Sequence, residues 1–478
     1  MDKSVINFLK TKSLSTIETE NIEQKLMTWK QWYNSKVDGF HNYYVYDGNR
    51  KKNRTRLTLN MPARVCQDWA DLLLNEKVEI SSNDENTEQA IRKLLQQVNF
   101  YVRGNNLIEK AFALGGGFFI PYWDGEKTAQ KYITQDFAYP ITYDSGRLLE
   151  CAFASNKTLA GKRYTYIEVH TKTSEGFYVI DSFICESNRK GALREVDASF
   201  YDKFNIEQKV ITESKIPLFT QVRPNIANRD VFDSPFGTSI FSGVTDYFAG
   251  ADLCYDAYIN EIKLGKKRIF VDGSVSKVRY DPATGKMTHV FDPNDDVFYS
   301  MADLEEAGKP ILESNMQLRV NELDTALQTQ LNLISQGCGF GANGYKWDSG
   351  NVSTATQVIS ENSKMFRTMK KHELLLNEAI INMAKGLLYV ENANNPNAKI
   401  NLDAELSVDF DDSIIEDTAE IKRQATSELN LGLISKAEYF RKTRKMGEDS
   451  AREFVKQMSE EQLDEALQAQ ITEEPPTE

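Results

Sequence analysis

Histidine and cysteine are the residue types of this chain best equipped for chemistry, and their spacing gives them none. His41, His170, His289 and His372 stand alone, without a cysteine or carboxylate at the interval that converges ligands on one metal ion. Cys66, Cys151, Cys185, Cys254 and Cys338 are scattered, with no C-x-x-C pair. Their odd count suits a reducing compartment and argues against a disulfide framework. No G-x-S-x-G elbow presents a nucleophile. Gly339-Phe340-Gly341-Ala342-Asn343-Gly344-Tyr345-Lys346 comes one residue from a phosphate loop. In a true one, a strand precedes, lysine follows the second glycine, and Ser or Thr comes next. Here a helix precedes, Tyr345 intervenes, and Trp347 takes the Ser/Thr place. Gly115-Gly116-Gly117 follows a helix and precedes a strand, the reverse of phosphate-loop order, and reads as a helix stop. Asp411 and Asp412 read as a solvated acidic loop. No catalytic residue, metal or cofactor is assigned, and nothing supports an enzyme.

The elements that would position any site centre on residues 321–390. A first helix buries a stripe of Leu323, Ala326, Leu327, Leu331 and Ile334, and Gly337 and Gly339 end it. A polar, glycine-rich loop follows. Thr354 and Gln357 form a capping box that opens a helix running to Tyr389, with no proline and only Gly386 inside it. A loop slung between two such helices is expected to be the moving part.

The rest of the chain is α+β. A surface helix is expected over 16–37, a short aromatic strand or ordered loop at Tyr43–Tyr46, and over Lys51–Arg56 a basic patch read as a solvated loop in preference to a phosphate contact. Helices are expected at 61–76, 85–97 and 101–114, then a strand at 118–123. Residues 132–222 alternate like strands: 148–154, 164–171, 176–184 and 217–222. A helix is expected over 240–264, followed by a strand-rich insert (268–271, 275–280, 287–291 and 310–320). A strand over 400–410 and helices at 414–431, 436–443 and 448–470 complete the pattern. Residues 459–478 carry only acidic charges and are expected to be disordered.

Composition narrows the function. The 478 residues are 41% hydrophobic and 27% charged, ordinary for folded protein, with a net charge of −13. A monomeric reader of DNA sequence would normally be basic. The N-terminus lacks a basic segment followed by an apolar core, so no secretory signal is expected, and no apolar run approaches the ~18 residues of a membrane span.

The order of parts resembles the portal proteins of tailed bacteriophages, of the siphovirus type found in phages of Gram-positive bacteria. The resemblance rests on Pro235-Phe236-Gly237-Thr238-Ser239 before the 240–264 helix and Leu264-Gly265-Lys266-Lys267-Arg268-Ile269-Phe270-Val271 after it. Ser353-Thr354-Ala355-Thr356-Gln357-Val358 opening the long helix, and Val408-Asp409-Phe410-Asp411-Asp412 after it, add to it. So do the helix Cys66-Gln67-Asp68-Trp69-Ala70-Asp71-Leu72-Leu73 and the Gly-Gly-Gly-Phe-Phe hinge.

The resemblance implies a portal-type fold: an α/β wing, a two-helix stem, a small β-rich clip, a long kinked helix and a helical C-terminal crown. By that likeness, residues 1–238 are the wing, 239–265 and 319–337 the stem, and 266–318 the clip. The tunnel loop is 338–352, 353–412 return to the wing, and 413–478 form the crown. It further implies a ring of about twelve copies at one capsid vertex of the virion, assembled in the host cytoplasm. Such a ring conducts double-stranded DNA without sequence preference. Its partners would be the terminase large subunit, the head–tail adaptor, the major capsid protein and scaffolding protein, with no membrane. Channel residues would be Asn343, Tyr345, Lys346 and Trp347. Lys266, Lys267 and Arg268 would touch DNA or a partner at the stem–clip junction. The alternatives are a head or tail structural protein without a DNA channel, and a packaging ATPase or nuclease.

Overall fold

The computed structural model describes the chain except residues 1, 17–19, 76–77, 189–190, 230–231, 233, 266–267, 273–277, 281, 286, 290–297, 302–310, 315–316, 347–354, 396–397, 399, 411–417, 445–450, 453, 457 and 459–478. It forms two units: residues 1–350 with 363–410, and residues 351–362 with 411–478.

The larger unit opens with a helix the sequence pattern did not announce, α1 (Lys3–Thr11). Asp2 caps it by accepting the Ser4 N–H at 2.9 Å, filling one of the donors a helix start leaves orphaned. Val5, Phe8 and Leu9, spaced i, i+3, i+4, pack on Tyr139, Ala152, Ile167 and Val169. Helix α2 (Glu20–Tyr33) follows. The basic stretch is not a loop: β1 (Asn42–Asp47) and β2 (Arg50–Thr55) pair as an antiparallel ribbon, and every residue of β2 is exposed.

Helix α3 (Met61–Leu73) carries Pro62 in its first turn, where the missing N–H costs nothing, and buries Val65, Cys66, Trp69 and Leu73. A short strand β3 (Glu79–Ser82) leads to α4 (Glu85–Gln97) and α5 (Phe100–Leu114). Gly115, at φ +87°, ends α5 and turns the chain into β4 (Gly117–Trp123) and β5 (Thr128–Thr134). Then β6 (Ala138–Asp144), β7 (Arg147–Leu159), β8 (Lys162–Lys172), β9 (Tyr178–Ser187) and β10 (Leu193–Glu195) form an antiparallel meander. Short α6 (Ser199–Phe204) precedes β11 (Lys209–Ile211), which pairs with β9, and β12 (Thr220–Val222), which pairs with β4.

The expected 240–264 helix begins later, as α7 (Thr245–Leu264). The correction has a local cause: the Ile240 N–H donates to Phe112 O and the Phe241 N–H to Ser239 Oγ, which hold residues 239–244 in turns. Here the chain crosses the end of α5 backbone on backbone. A Cβ on Gly237 would sit 2.3 Å from Gly115 O, and one on Gly115 would sit 2.6 Å from Gly237 O. Deeper in α7, Asp252 is buried. Its Oδ1 accepts the Leu59 N–H at 2.8 Å, and its Oδ2 accepts from His41 Nε2 at 3.0 Å. Val37 N–H donates to His41 Nδ1, which leaves the ring proton on Nε2.

After α7 come β13 (Arg268–Asp272), β14 (Val278–Tyr280), β15 (Met287–His289), β16 (Phe298–Met301) and β17 (Ile311–Ser314). Central β13 runs parallel to β16 and antiparallel to β17; β16 was not foreseen. The chain then returns through α8 (Val320–Gly337), which packs antiparallel on α7. Glu261 takes Arg319 in a two-pronged ion pair at one end, and Val244 meets Gly337 at the other. The long helix is continuous, α9 (Ala355–Asn394). Thr354 and the side chain of Gln357 lie outside the described residues. Strand β18 (Leu406–Asp409) pairs antiparallel with β3, more than three hundred residues earlier in the chain.

In the smaller unit, α10 (Thr418–Asn430) and α11 (Lys436–Arg444) pack as a helical hairpin, with Lys442 reaching Glu428 at 2.7 Å. Most of the helix expected over 448–470 and the acidic tail 459–478 lie outside the described residues.

Candidate functional site

The loop after α8 is built around Trp69. This side chain projects from the third turn of α3 and is fully buried. Its Nε1–H donates to Cys338 O at 3.0 Å, tying the end of α8 to α3. Phe340 stacks on it, with centroids 4.6 Å apart and planes 28° apart. From α9, His372 meets Trp69 edge-on at 5.0 Å and Phe112 of α5 at 5.1 Å. Four elements thus converge on one indole. Offset stacked and edge-on rings add about 0.5–1.5 kcal/mol per pair to the burial itself.

The chain from Gly341 to Lys346 then folds back on α8. Ser335 Oγ donates to Gly341 O at 2.7 Å and accepts the Gly344 N–H at 3.1 Å. Asn332 and Asn343 bond reciprocally. The Asn343 N–H donates to Asn332 Oδ1 at 2.6 Å, and Asn332 Nδ2 donates to Asn343 Oδ1 at 3.3 Å. Asn343 holds φ +66°, a left-handed conformation that asparagine tolerates better than most residues. Replacing Ser335 with alanine leaves a carbonyl and an amide unpartnered. We expect a cost of about 1–2 kcal/mol and faster hydrogen exchange at Gly344, while the amides of α3 stay protected.

The foreseen site residues separate in this geometry. Tyr345 is not free in solvent. Its ring lies 5.5 Å from Phe340, and burial, with the facing Asp68 carboxylate, pushes its phenol well above the ordinary range. Asp68 is itself held by Arg64 Nε at 2.9 Å. The Asn343 side chain is exposed but engaged by Asn332, and Lys346 is exposed, its backbone N–H donating to Asn343 O at 3.1 Å. A cleft of about 600 Å³ lies beside them, lined in part by Arg64, Gln67, Leu331, Tyr345 and Lys346. Trp347, Lys266 and Lys267 lie outside the described residues, and Arg268 opens β13 opposite Ser314. Sequence reasoning missed Trp69 as the hub and Ser335 and Asn332 as clamps. The signal for Trp69 was its place on the buried stripe of α3; nothing local marks the two polar residues.

Among the described residues no group of three or more histidine, cysteine or acidic side chains is arranged to hold a metal ion. The five cysteines are free thiols, and burial pushes the thiols of Cys66, Cys151 and Cys338 above the ordinary range, which makes them poor nucleophiles. No described helix is long and apolar enough to cross a membrane.

The profile of the family described as phage portal protein, SPP1 Gp6-like, matches residues 13–468. No curated protein matches the chain.

Proposed function

The chain belongs to the phage portal family, SPP1 Gp6-like, a family of structural proteins of the capsid, and from that premise we propose that it forms the DNA conduit at one capsid vertex. About twelve copies close into a ring. Double-stranded DNA passes through the ring during packaging and ejection. Residues 266–318 present the clip to the terminase large subunit and then to head–tail adaptor proteins. The wing meets the major capsid and scaffolding proteins. The observation that carries this reading is the family match over nearly the whole chain, with the loop 338–352 falling between α8 and α9.

The charge supports the role. A net −13 repeated around a ring repels the phosphate backbone and keeps non-specific binding weak, as a sliding duplex requires. A few inward cations then suffice to guide it. Lys346 is the proposed guide in the loop, with Asn343 and Trp347 beside it. Lys266, Lys267 and Arg268 are a second proposed ring of charge at the stem–clip junction. Tyr345 is proposed to act from behind, bracing the loop against Phe340 while Lys346 faces the DNA. Lys346→Ala should lower packaged DNA per capsid at unchanged ring yield, and reduce the salt slope of duplex binding by about one.

The reading is tested by the mass of the purified protein in solution, with negative-stain images of the same peak. A ring of about twelve chains with a central hole supports it. A compact dimer without a hole overturns it in favour of a head or tail protein lacking a channel.

A further inference from the structure

Two exposed ribbons of opposite charge lie at opposite ends of α3. The first is β1–β2, which with the residue after it carries Arg50, Lys51, Lys52, Arg54 and Arg56 against the single acid Asp47. Lys51 sits 3.7 Å over the Tyr44 ring, and Tyr44 and Tyr46 are both more than half exposed. The second is β3–β18, whose paired strands put Glu79 directly opposite Asp409. Both of these side chains are exposed, and neither has an ion-pair partner among the described residues. Glu405 and Asp403 precede β18, and Asp84, Glu85 and Glu88 follow β3; residues 79–88 and 403–409 contain no Lys or Arg.

Like charges facing each other across an antiparallel pair destabilise it. A two-stranded ribbon is also only marginally stable in water by itself. Each ribbon nevertheless presents an excess of one sign: five cations against Asp47, which lies opposite Arg50, on the first, and on the second a run of acids of which Glu88 takes Arg92 at 2.9 Å. They do not answer each other within one copy. The basic ribbon enters the N-terminus of α3 through Arg56. The acidic one follows its C-terminus, where Tyr101 of α5 donates to Val78 O. A 13-residue helix separates its ends by roughly 20 Å, about twice the screening length at physiological salt.

We propose that the β1–β2 ribbon of one copy docks on the β3–β18 ribbon of the next copy around the ring. This rests on the ring reading above and names one of its contacts. Two different patches on one chain, each meeting its counterpart on the next copy, make a head-to-tail interface, the kind that closes into a cyclic assembly when the repeated rotation closes. Charge complementarity across it sets register and the rate of association. Tyr44 and Tyr46 supply the apolar body of the contact. Duplex DNA is the competing occupant of a basic ribbon, and the acidic counterpart on the same chain favours the neighbouring copy.

The test uses full-length protein and measures assembly against concentration by light scattering. Arg50→Glu, Lys51→Glu and Arg54→Glu together should raise the half-assembly concentration roughly tenfold or more, and Glu79→Lys with Asp409→Lys should do the same. All five side chains are exposed, and combining the two sets swaps the charges, so the combined variant should assemble close to the wild-type concentration. Wild-type rings with indifferent reversal variants overturn the contact and leave the ring standing. So does failure of the combined variant to recover. Normal assembly with lost retention of a duplex oligonucleotide reassigns the basic ribbon to DNA and overturns the proposal. A wild type that never passes the monomer overturns the ring reading and the contact with it.

Discussion

Replacing Trp69 with alanine is expected to lower the free energy of unfolding by about 3–5 kcal/mol, the usual cost of deleting a large buried aromatic. The residue is fully buried and touches Phe340, His372 and Phe112, so no single neighbour can collapse into the space. Trp69→Phe separates the two parts of the effect. It keeps most of the ring packing but leaves Cys338 O without its donor, at a cost of about 1–3 kcal/mol. Chemical denaturation checks the magnitudes, and hydrogen exchange checks the location. In Trp69→Ala the amides from Cys338 to Lys346 should lose protection before those of the β-meander. Uniform loss of protection would mean that the indole supports the whole unit and not the loop root in particular.

Acidification should produce the second large loss. His170 is fully buried between Phe153 and Phe219, with neither ring nitrogen hydrogen-bonded. Burial drives its pKa from 6.5 down to about 4; Glu168 opposes the shift and Lys131 adds to it. His372 is lowered to about 4 as well, by burial and then by Lys371. Both rings stay neutral in the folded chain and charge in the unfolded one. The unfolded state therefore binds more protons between pH 6.5 and 4, and stability falls as pH drops through that window. Each histidine should cost about 2 kcal/mol by pH 5 relative to pH 7. His170→Phe places a third phenyl in the same box and removes one titration. Its melting temperature should match or exceed wild type at pH 7, and its decline towards pH 5 should be shallower. An unchanged slope would mean that the buried ring is not the group that takes up the proton.

Long periodic elements were legible before any coordinates. The stripes on α3 and α8 and the alternation in β7, β8 and β9 carry strong signals because each buries a full face, and α9 was legible from a long run without proline. Helix α1 was missed because nine residues hold only two turns of pattern, and its partner sheet lies more than 130 residues away. Strands β5 and β6 were not placed because residues such as Gln130, Lys131 and Thr142 mask the period-two signal. The loop was visible from its glycines, but its fixed half was not. The clamps Ser335 and Asn332 read as ordinary polar positions on a helix, and the Trp69–Cys338 bond spans 269 residues. Composition located the loop; only three-dimensional proximity could show that Tyr345 is held inside it. The family, by contrast, was legible from the order of parts, since no single motif carries it.

The crossing of Gly115 and Gly237 has a genetic consequence. Any base change in a glycine codon that alters the residue adds at least a methyl group, and at either position that group meets the other's carbonyl oxygen closer than van der Waals contact allows. Neither change makes room for the other. The usual route by which one substitution prepares the ground for a second is therefore closed at this point. Lineages descending from this chain can drift on both sides of the crossing while these two glycines stand still together.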